Sequence, residues 1–198
     1  AAGYHRRMSE EAGTDAVLTE KRDRILIITI NRPEAKNAAN AAVSHGLAAA
    51  MDQLDDDPGL SVGILTGAGG TFCAGMDLKA FARGENVAVK GRGLGFTERP
   101  PVKPLIAAVE GYALAGGTEL ALATDLIVAA RNSAFGIPEV KRGLVAAGGG
   151  LLRLPQRIPS AIAMELALTG DQLSAERAHE LGMVNVLLPF LILPLAAS

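Results

Sequence analysis

Residues 114–130 read LAGGTELALATDLIVAA, and one residue in that run is out of character. Glu119 sits among alanine, leucine, glycine and threonine. A carboxylate is seldom buried unless it is paired or used. The same stretch decides the fold class. Residues 104–110 (PLIAAVE) form a short apolar run that reads as a strand. Residues 116–124 open on a glycine pair and read as a helix, and 125–129 (DLIVA) read as a second strand. Short apolar strands alternating with helices are the mark of an α/β protein with a buried sheet.

The pattern continues outward in both directions. Toward the N-terminus, 16–20 (AVLTE) and 24–30 (RILIITI) read as two strands around a tight polar turn, followed by the proline-containing loop NRPEAKNA. Residues 40–54 read as a helix stopped by DDDPG, and 61–66 (SVGILT) as a strand apolar enough to be buried on both faces. GAGG is a turn, and CAGMDLKAFA opens another helix. Residues 84–103, rich in glycine, lysine and proline, show little periodicity and read as a long loop or irregular segment. Toward the C-terminus, 134–136 read as a brief extended piece, followed by helices at 148–154, 160–168 and 174–181, the last with Ser174 as N-cap. No linker divides the chain. The expected organisation is a polar, flexible extension over 1–15, in which Met8 is a candidate natural start, one core domain over 16–186, and an apolar tail over 187–198.

Composition narrows the function classes. Half the residues, 49%, are apolar and 20% are charged, with a net charge of −2, so there is no electrostatic footprint for a nucleic-acid partner. The single cysteine, Cys73, excludes an internal disulfide and points to a reducing, cytoplasmic compartment. The three histidines are scattered, so no metal site is expected. The apolar C-terminal stretch is interrupted by prolines and falls short of the roughly 20 residues a membrane span needs, so no membrane partner is expected.

Two glycine junctions, TFCAGMDL (71–78) and LAGGTEL (114–120), each follow a strand. Amide N–H groups at the start of a helix lack internal partners and favour negative charge, so two such junctions facing one point would stabilise an oxyanion. Glycines at such turns also serve turn geometry alone. Glu139, in the turn FGIPEVKRG, is a second candidate acid; two carboxyls sharing a small volume would titrate as a pair, one as base and one as acid. Alternatively, Glu119 caps backbone and Glu139 is a solvated turn residue. Arg32, Lys36, Lys79 and Arg83 form a candidate basic cluster around the first junction.

Four blocks, NRPEAKNA, FCAGMDL, LAGGTELALATDLIVAA and FGIPEVKRGLVAAGGG, together resemble the enoyl-CoA hydratase/isomerase family, the crotonases, over roughly residues 16–186. The resemblance implies a spiral of β-β-α units, an acyl-CoA thioester substrate, no cofactor beyond the coenzyme A carried by that substrate, and assembly as a homo-trimer or dimer of trimers. It implies oxyanion donors at Met76 and Gly116, and a thioester and coenzyme path along Met76, Asp77, Leu78 and Lys79, with Lys36, Ala38 and Ala74 beside the coenzyme. It implies that Glu119 and Glu139 hold the water that adds to a trans-2-enoyl-CoA. Members of the family continue past GMVN with further helices, so the resemblance also implies a truncated C-terminal helical region. A Δ3-Δ2-enoyl-CoA isomerase, which works with one glutamate, and a non-catalytic acyl-CoA binder or assembly partner remain as alternatives; a serine peptidase lacks a nucleophile with a matching histidine.

Overall fold

The computed structural model describes residues 16–191; the expected N-terminal extension and residues 192–198 of the tail lie outside them. The main sheet has six strands in the order β1 (Val17–Arg22), β2 (Ile25–Ile30), β3 (Val62–Gly67), β4 (Leu105–Val109), β6 (Leu126–Ala130) and β9 (Val186–Leu188). β1 pairs antiparallel to β2 through the Asp23–Arg24 turn, and every later neighbour is parallel. Parallel strands need crossovers, and the crossovers carry helices. That is why β2 reads as an unbroken apolar run: Leu26, Ile28 and Ile30 are fully buried and Ile27 nearly so.

Helix α1 (Ala41–Asp56) makes the first crossover. The Asn40 side chain accepts from the Val43 amide and caps it. Val43, Leu47, Ala50, Met51 and Leu54 form the buried stripe that the helical period requires. Helix α2 (Leu78–Ala82) is shorter than expected and begins after Asp77, whose carboxylate accepts from the amides of Lys79 and Ala80. Helices α3 (Gly116–Leu122), α4 (Gly150–Arg157), α5 (Ser160–Thr169) and α6 (Ala175–Glu180) fall where the periodicity places them, within a few residues. Residues 84–103 contain no helix or strand, yet Val87 and Phe96 are buried in the core and anchor the segment.

A second sheet is absent from the sequence reading. β5 (Tyr112–Leu114), β7 (Ala134–Gly136) and β8 (Leu173–Ser174) make it, in the order β5-β7-β8. A strand of two or three residues shows no alternation to read; of these, only 134–136 reads as extended. β9 also crosses the expected core–tail boundary at 186/187: Val186, Leu187 and Leu188 pair with Val128, Ala129 and Ala130, so Leu187 and Leu188 of the expected tail belong to the main sheet.

The second sheet places the site. β5 pairs in parallel with β7, Ala113 facing Phe135 and Leu114 facing Gly136, and on its other edge it exchanges bonds with Cys73. The Cys73 amide donates to Tyr112 at 2.9 Å, and the Leu114 amide to Cys73 at 3.0 Å. Thr118 of α3 locks this arrangement. Its buried hydroxyl lies 2.6 Å from the Ala113 carbonyl and 2.8 Å from that of Gly136, and it accepts from the Gly136 amide at 2.9 Å. Thr118→Val keeps the shape and leaves a buried amide and carbonyl unpaired. The expected loss is about 1–3 kcal/mol, read as a lower denaturant midpoint at unchanged slope.

Candidate active site

Three loops leave the ends of β5, β7 and the Cys73 segment side by side: 73–76, 114–116 and 136–139. Around them opens a cavity of about 490 Å³ lined by Ala74, Met76, Leu78, Gly116, Glu119 and Glu139, among others. Its further walls include Leu94, Leu114, Leu144 and Val145, which are apolar, and Thr97, Glu98 and Arg142.

The amide of Met76 is freed by extended backbone, not by a helix terminus. Ala39 donates to Gly75 at 2.7 Å and accepts from Asp77 at 2.8 Å, so this side of the loop is taken. Successive amides of an extended chain point to opposite sides, which turns the Met76 N–H toward α3. Gly116 is the first residue of α3, where an amide has no intrahelical acceptor. The two donors are neighbours: a Cβ built on Gly116 would stand 3.6 Å from the Met76 nitrogen. Two residues hold special backbone to achieve this. Gly75 has φ +106°, and a Cβ there would meet the Ala115 Cβ at 2.8 Å. Ala115, the residue before α3, has φ +50° and ψ −124°, a conformation costly for a residue with a side chain and characteristic of sites where the surrounding fold imposes geometry.

Glu119 is 4% exposed, on the first turn of α3. Its Oε1 accepts from the Gly150 amide at 3.0 Å, and the backbone of Gly148 adds to the cradle. At 148 a Cβ would lie 2.5 Å from Oε2, so any side chain there would displace the Glu119 carboxyl from this position. Burial pushes the Glu119 carboxyl above the ordinary carboxylate range, against the pull of these amides and of the Arg153 charge. Glu139, in the 3-10 helix Pro138–Arg142, is half-buried. Burial raises its carboxyl as well, its own amide lowers it, and the Glu119 charge raises it further. Its Oε2 is buried with no hydrogen-bond partner.

Lys36, Ala38, Asp77 and Lys79 do not line the cavity. The Asp77 carboxylate turns away to cap α2 and to meet Arg32 at 3.1 Å, so the residue is structural in its side chain. Arg32 donates to the Ala38 carbonyl as well, which commits its guanidinium to the loop. The Lys36 carbonyl accepts from the Ala74 amide, and its ammonium lies 5.9 Å over the Tyr112 ring. Lys79 is exposed, and the exposed Arg83 sits near Glu85, so the expected basic cluster is not a single patch. The sequence reading missed residues that build the site: Thr118, Asn37, and the glycines 148–150. Asn37 is fully buried, accepts from the Arg32 amide, and donates to the carbonyls of Ala68 and Thr71, tying the loop to the β3 turn. The run of three glycines leading into α4 was the available signal.

Residues 20–192 match the family model for enoyl-CoA hydratase/isomerase. The chain belongs to the enoyl-CoA hydratase/isomerase family. It is 43% identical to a Mycobacterium tuberculosis protein named enoyl-CoA hydratase EchA19, over 90% of this chain and 70% of that protein. To a carnitinyl-CoA dehydratase of Proteus mirabilis it is 46% identical, over 83% of this chain and 64% of the other. Among solved structures, enoyl-CoA hydratase EchA1 from Mycobacterium marinum superposes with a TM-score of 0.87 at 86% identity, covering 88% of this chain and 69% of that one. The chain thus spans about two thirds of the length of these relatives, and its fold is that of the crotonases.

The raised carboxyls have a stability consequence. A folded-state value above the unfolded one means the folded protein holds the proton more tightly, so the contribution is present at acid pH and is lost as pH rises through the folded-state value. Glu119→Gln removes that loss. The variant is expected to be more stable than the wild type at neutral pH, with the difference vanishing below the ordinary carboxylate range, in chemical denaturation followed across pH.

Proposed function

We propose that this chain carries the catalytic core of an enoyl-CoA hydratase, adding water to a trans-2-enoyl-CoA to give a 3-hydroxyacyl-CoA. The observation that carries the reading is the unpaired, buried Oε2 of Glu139 in the cavity it shares with Glu119. A buried carboxyl oxygen without a partner is a standing cost unless something else comes to bond it. A water between the two carboxyls would satisfy it, and that water is the reactant.

The chemistry follows from the parts. The thioester carbonyl, taken by the amides of Met76 and Gly116, draws electrons from the double bond and leaves the β-carbon electrophilic. Glu119, held as acceptor by the Gly150 amide, orients the water and takes its proton. Glu139 delivers a proton to the α-carbon. Charge gathers on the thioester oxygen and rests on the two amides; the loss of one such donor costs about 10²–10³ in rate. Oxygen and hydrogen arrive on the same face, so the addition is syn. No metal or redox group enters this scheme, and coenzyme A comes as part of the substrate. Ala74, Met76 and Leu78 would line its thioester and pantetheine path, with Lys36, Ala38 and the backbone of Asp77 and Lys79 flanking it. Run backward, the same parts remove water from a 3-hydroxyacyl-CoA, the direction named for the carnitinyl-CoA dehydratases. The two carboxyls favour this reading over isomerisation with one. Exposed Leu152, Met164 and Leu168 on α4 and α5 support assembly into a trimer or dimer of trimers, open to a mass measurement in solution.

Wild-type protein incubated with a short trans-2-enoyl-CoA is expected to consume the conjugated thioester absorbance and yield the 3-hydroxy product. Glu139→Gln, which cannot deliver the proton, is expected to lose about 10²–10⁴ in kcat with the fold intact. Full hydration by that variant, or conversion of a 3-enoyl-CoA alone, would rule out Glu139 as the proton donor.

A further inference from the structure

Arg153 lies in the first turn of α4, half-buried, with no carboxylate within ion-pair distance among the described residues. Its guanidinium reaches back from the helix and donates to two backbone carbonyls. One belongs to Gly148, at 3.2 Å, and the other to Thr97, at 2.6 Å. These carbonyls come from different parts of the site. Gly148 is in the glycine cradle around Glu119. Thr97 is in the cavity wall, where its hydroxyl accepts from the Leu94 amide at 3.1 Å and where Gly93 and Leu94 are also exposed to the cavity. Neither Gly148 nor Thr97 lies in a helix or strand. A planar fork with fixed donors is suited to fastening two such carbonyls at once. The fold makes room for it: Gly149 has φ +103°, and a Cβ there would overlap the guanidinium.

We propose that Arg153 is a positioning residue of this site, fastening the backbone that cradles Glu119 to the wall of the acyl cavity and placing its cation at that cradle. Three kinds of group face the Glu119 carboxyl. The α4 side presents Arg153, which favours the anion, together with the amides of Gly148 and Gly150. The 3-10 helix presents Glu139, whose own carboxyl the Glu119 charge raises. Glu98 and Arg142, both exposed, line the remainder of the cavity. Arg153 is the cation whose charge acts on Glu119. Two consequences follow. Glu119 stays ionised at a pH where burial alone would protonate it. Anything that displaces the 93–97 wall, such as a bulky acyl group, pulls on the backbone under Glu119. Only the second consequence and the effect on turnover rest on the hydratase reading; the effect on charge does not.

The test is a four-member cycle of wild type, Arg153→Met, Glu119→Gln and the double variant, with unfolding free energy followed across pH. Without the cation, Glu119 binds its proton over a wider range, so the Arg153→Met penalty is expected to grow as pH rises through the carboxylate range. That growth is expected to disappear in the Glu119→Gln background. Arg157→Met is the control. Arg157, on the same helix, also donates to two carbonyls, those of Thr124 and Asp125, and its penalty is expected to be flat with pH. An Arg153→Met penalty that is flat with pH, or a pH-dependent one that survives without Glu119, would overturn the proposal. Arg153→Gln keeps one donor for a carbonyl and no charge; if Arg153→Met does not fold, it carries the same expectation. In an enzyme that hydrates, either variant is further expected to shift the acidic limb of the kcat profile to higher pH, with turnover recovering in alkali. A wild type that does not hydrate would defeat the hydratase reading, while the stability cycle would still judge Arg153.

Discussion

β5 is hydrogen-bonded along both edges, to Cys73 on one side and to β7 on the other, and the positions of the donors and acids follow from that pairing. Three loops end beside one another because three short stretches of backbone share one small sheet. The pairing covers few residues, so it gains little from its own ladder. Its permanence comes from what surrounds it: Phe72, Ala113 and Phe135 are buried in the core, and the Thr118 hydroxyl bonds both neighbouring strands from above. α3 therefore cannot move relative to the Glu139 turn without breaking a buried hydroxyl's bonds.

That rigidity carries unfavourable local terms. Glu119 is buried, Glu139 has an unpartnered oxygen, and Ala115 holds a backbone conformation that a residue with a Cβ resists. Each would be relieved by a simple substitution, and each lies at the same cavity. Such a concentration of strain and desolvation is what a site complementary to a transition state requires: donors and acids held in place before substrate arrives, at the expense of the empty protein. The counterweights are also local. The glycine cradle supplies amides to Glu119, and Arg153 supplies a charge and two fastenings at once.

The elements that were legible in the sequence are the ones whose physics is local. α1 follows from the spacing of Val43, Leu47, Met51 and Leu54 and from Asn40 as its cap. The buried strands follow from apolar runs bounded by turns, and Glu119 follows from the mismatch between its charge and its neighbours. The parts that were not legible depend on partners distant in the chain. β5 and β8 are too short to show a period. Asp77 and Lys79 sit in a motif that reads as substrate-facing, yet side-chain direction there is decided by the start of α2 and by Arg32, which lies across the loop. Asn37 and Thr118 are ordinary polar residues until the chain folds three segments around each of them.

By itself, the order of apolar runs, glycines and turn residues determined an α/β chain with a buried parallel sheet and singled out two glutamates and two glycine junctions, because helix period, strand burial and the cost of a buried charge act over neighbouring residues. Only the tertiary structure decided that these four meet, that Glu139 keeps an open oxygen, and that Arg153 reaches both Glu119's cradle and the cavity wall. Those facts depend on which strands pair and on the register in which they do so, and hydrogen bonds between segments far apart in the chain leave no period in the sequence.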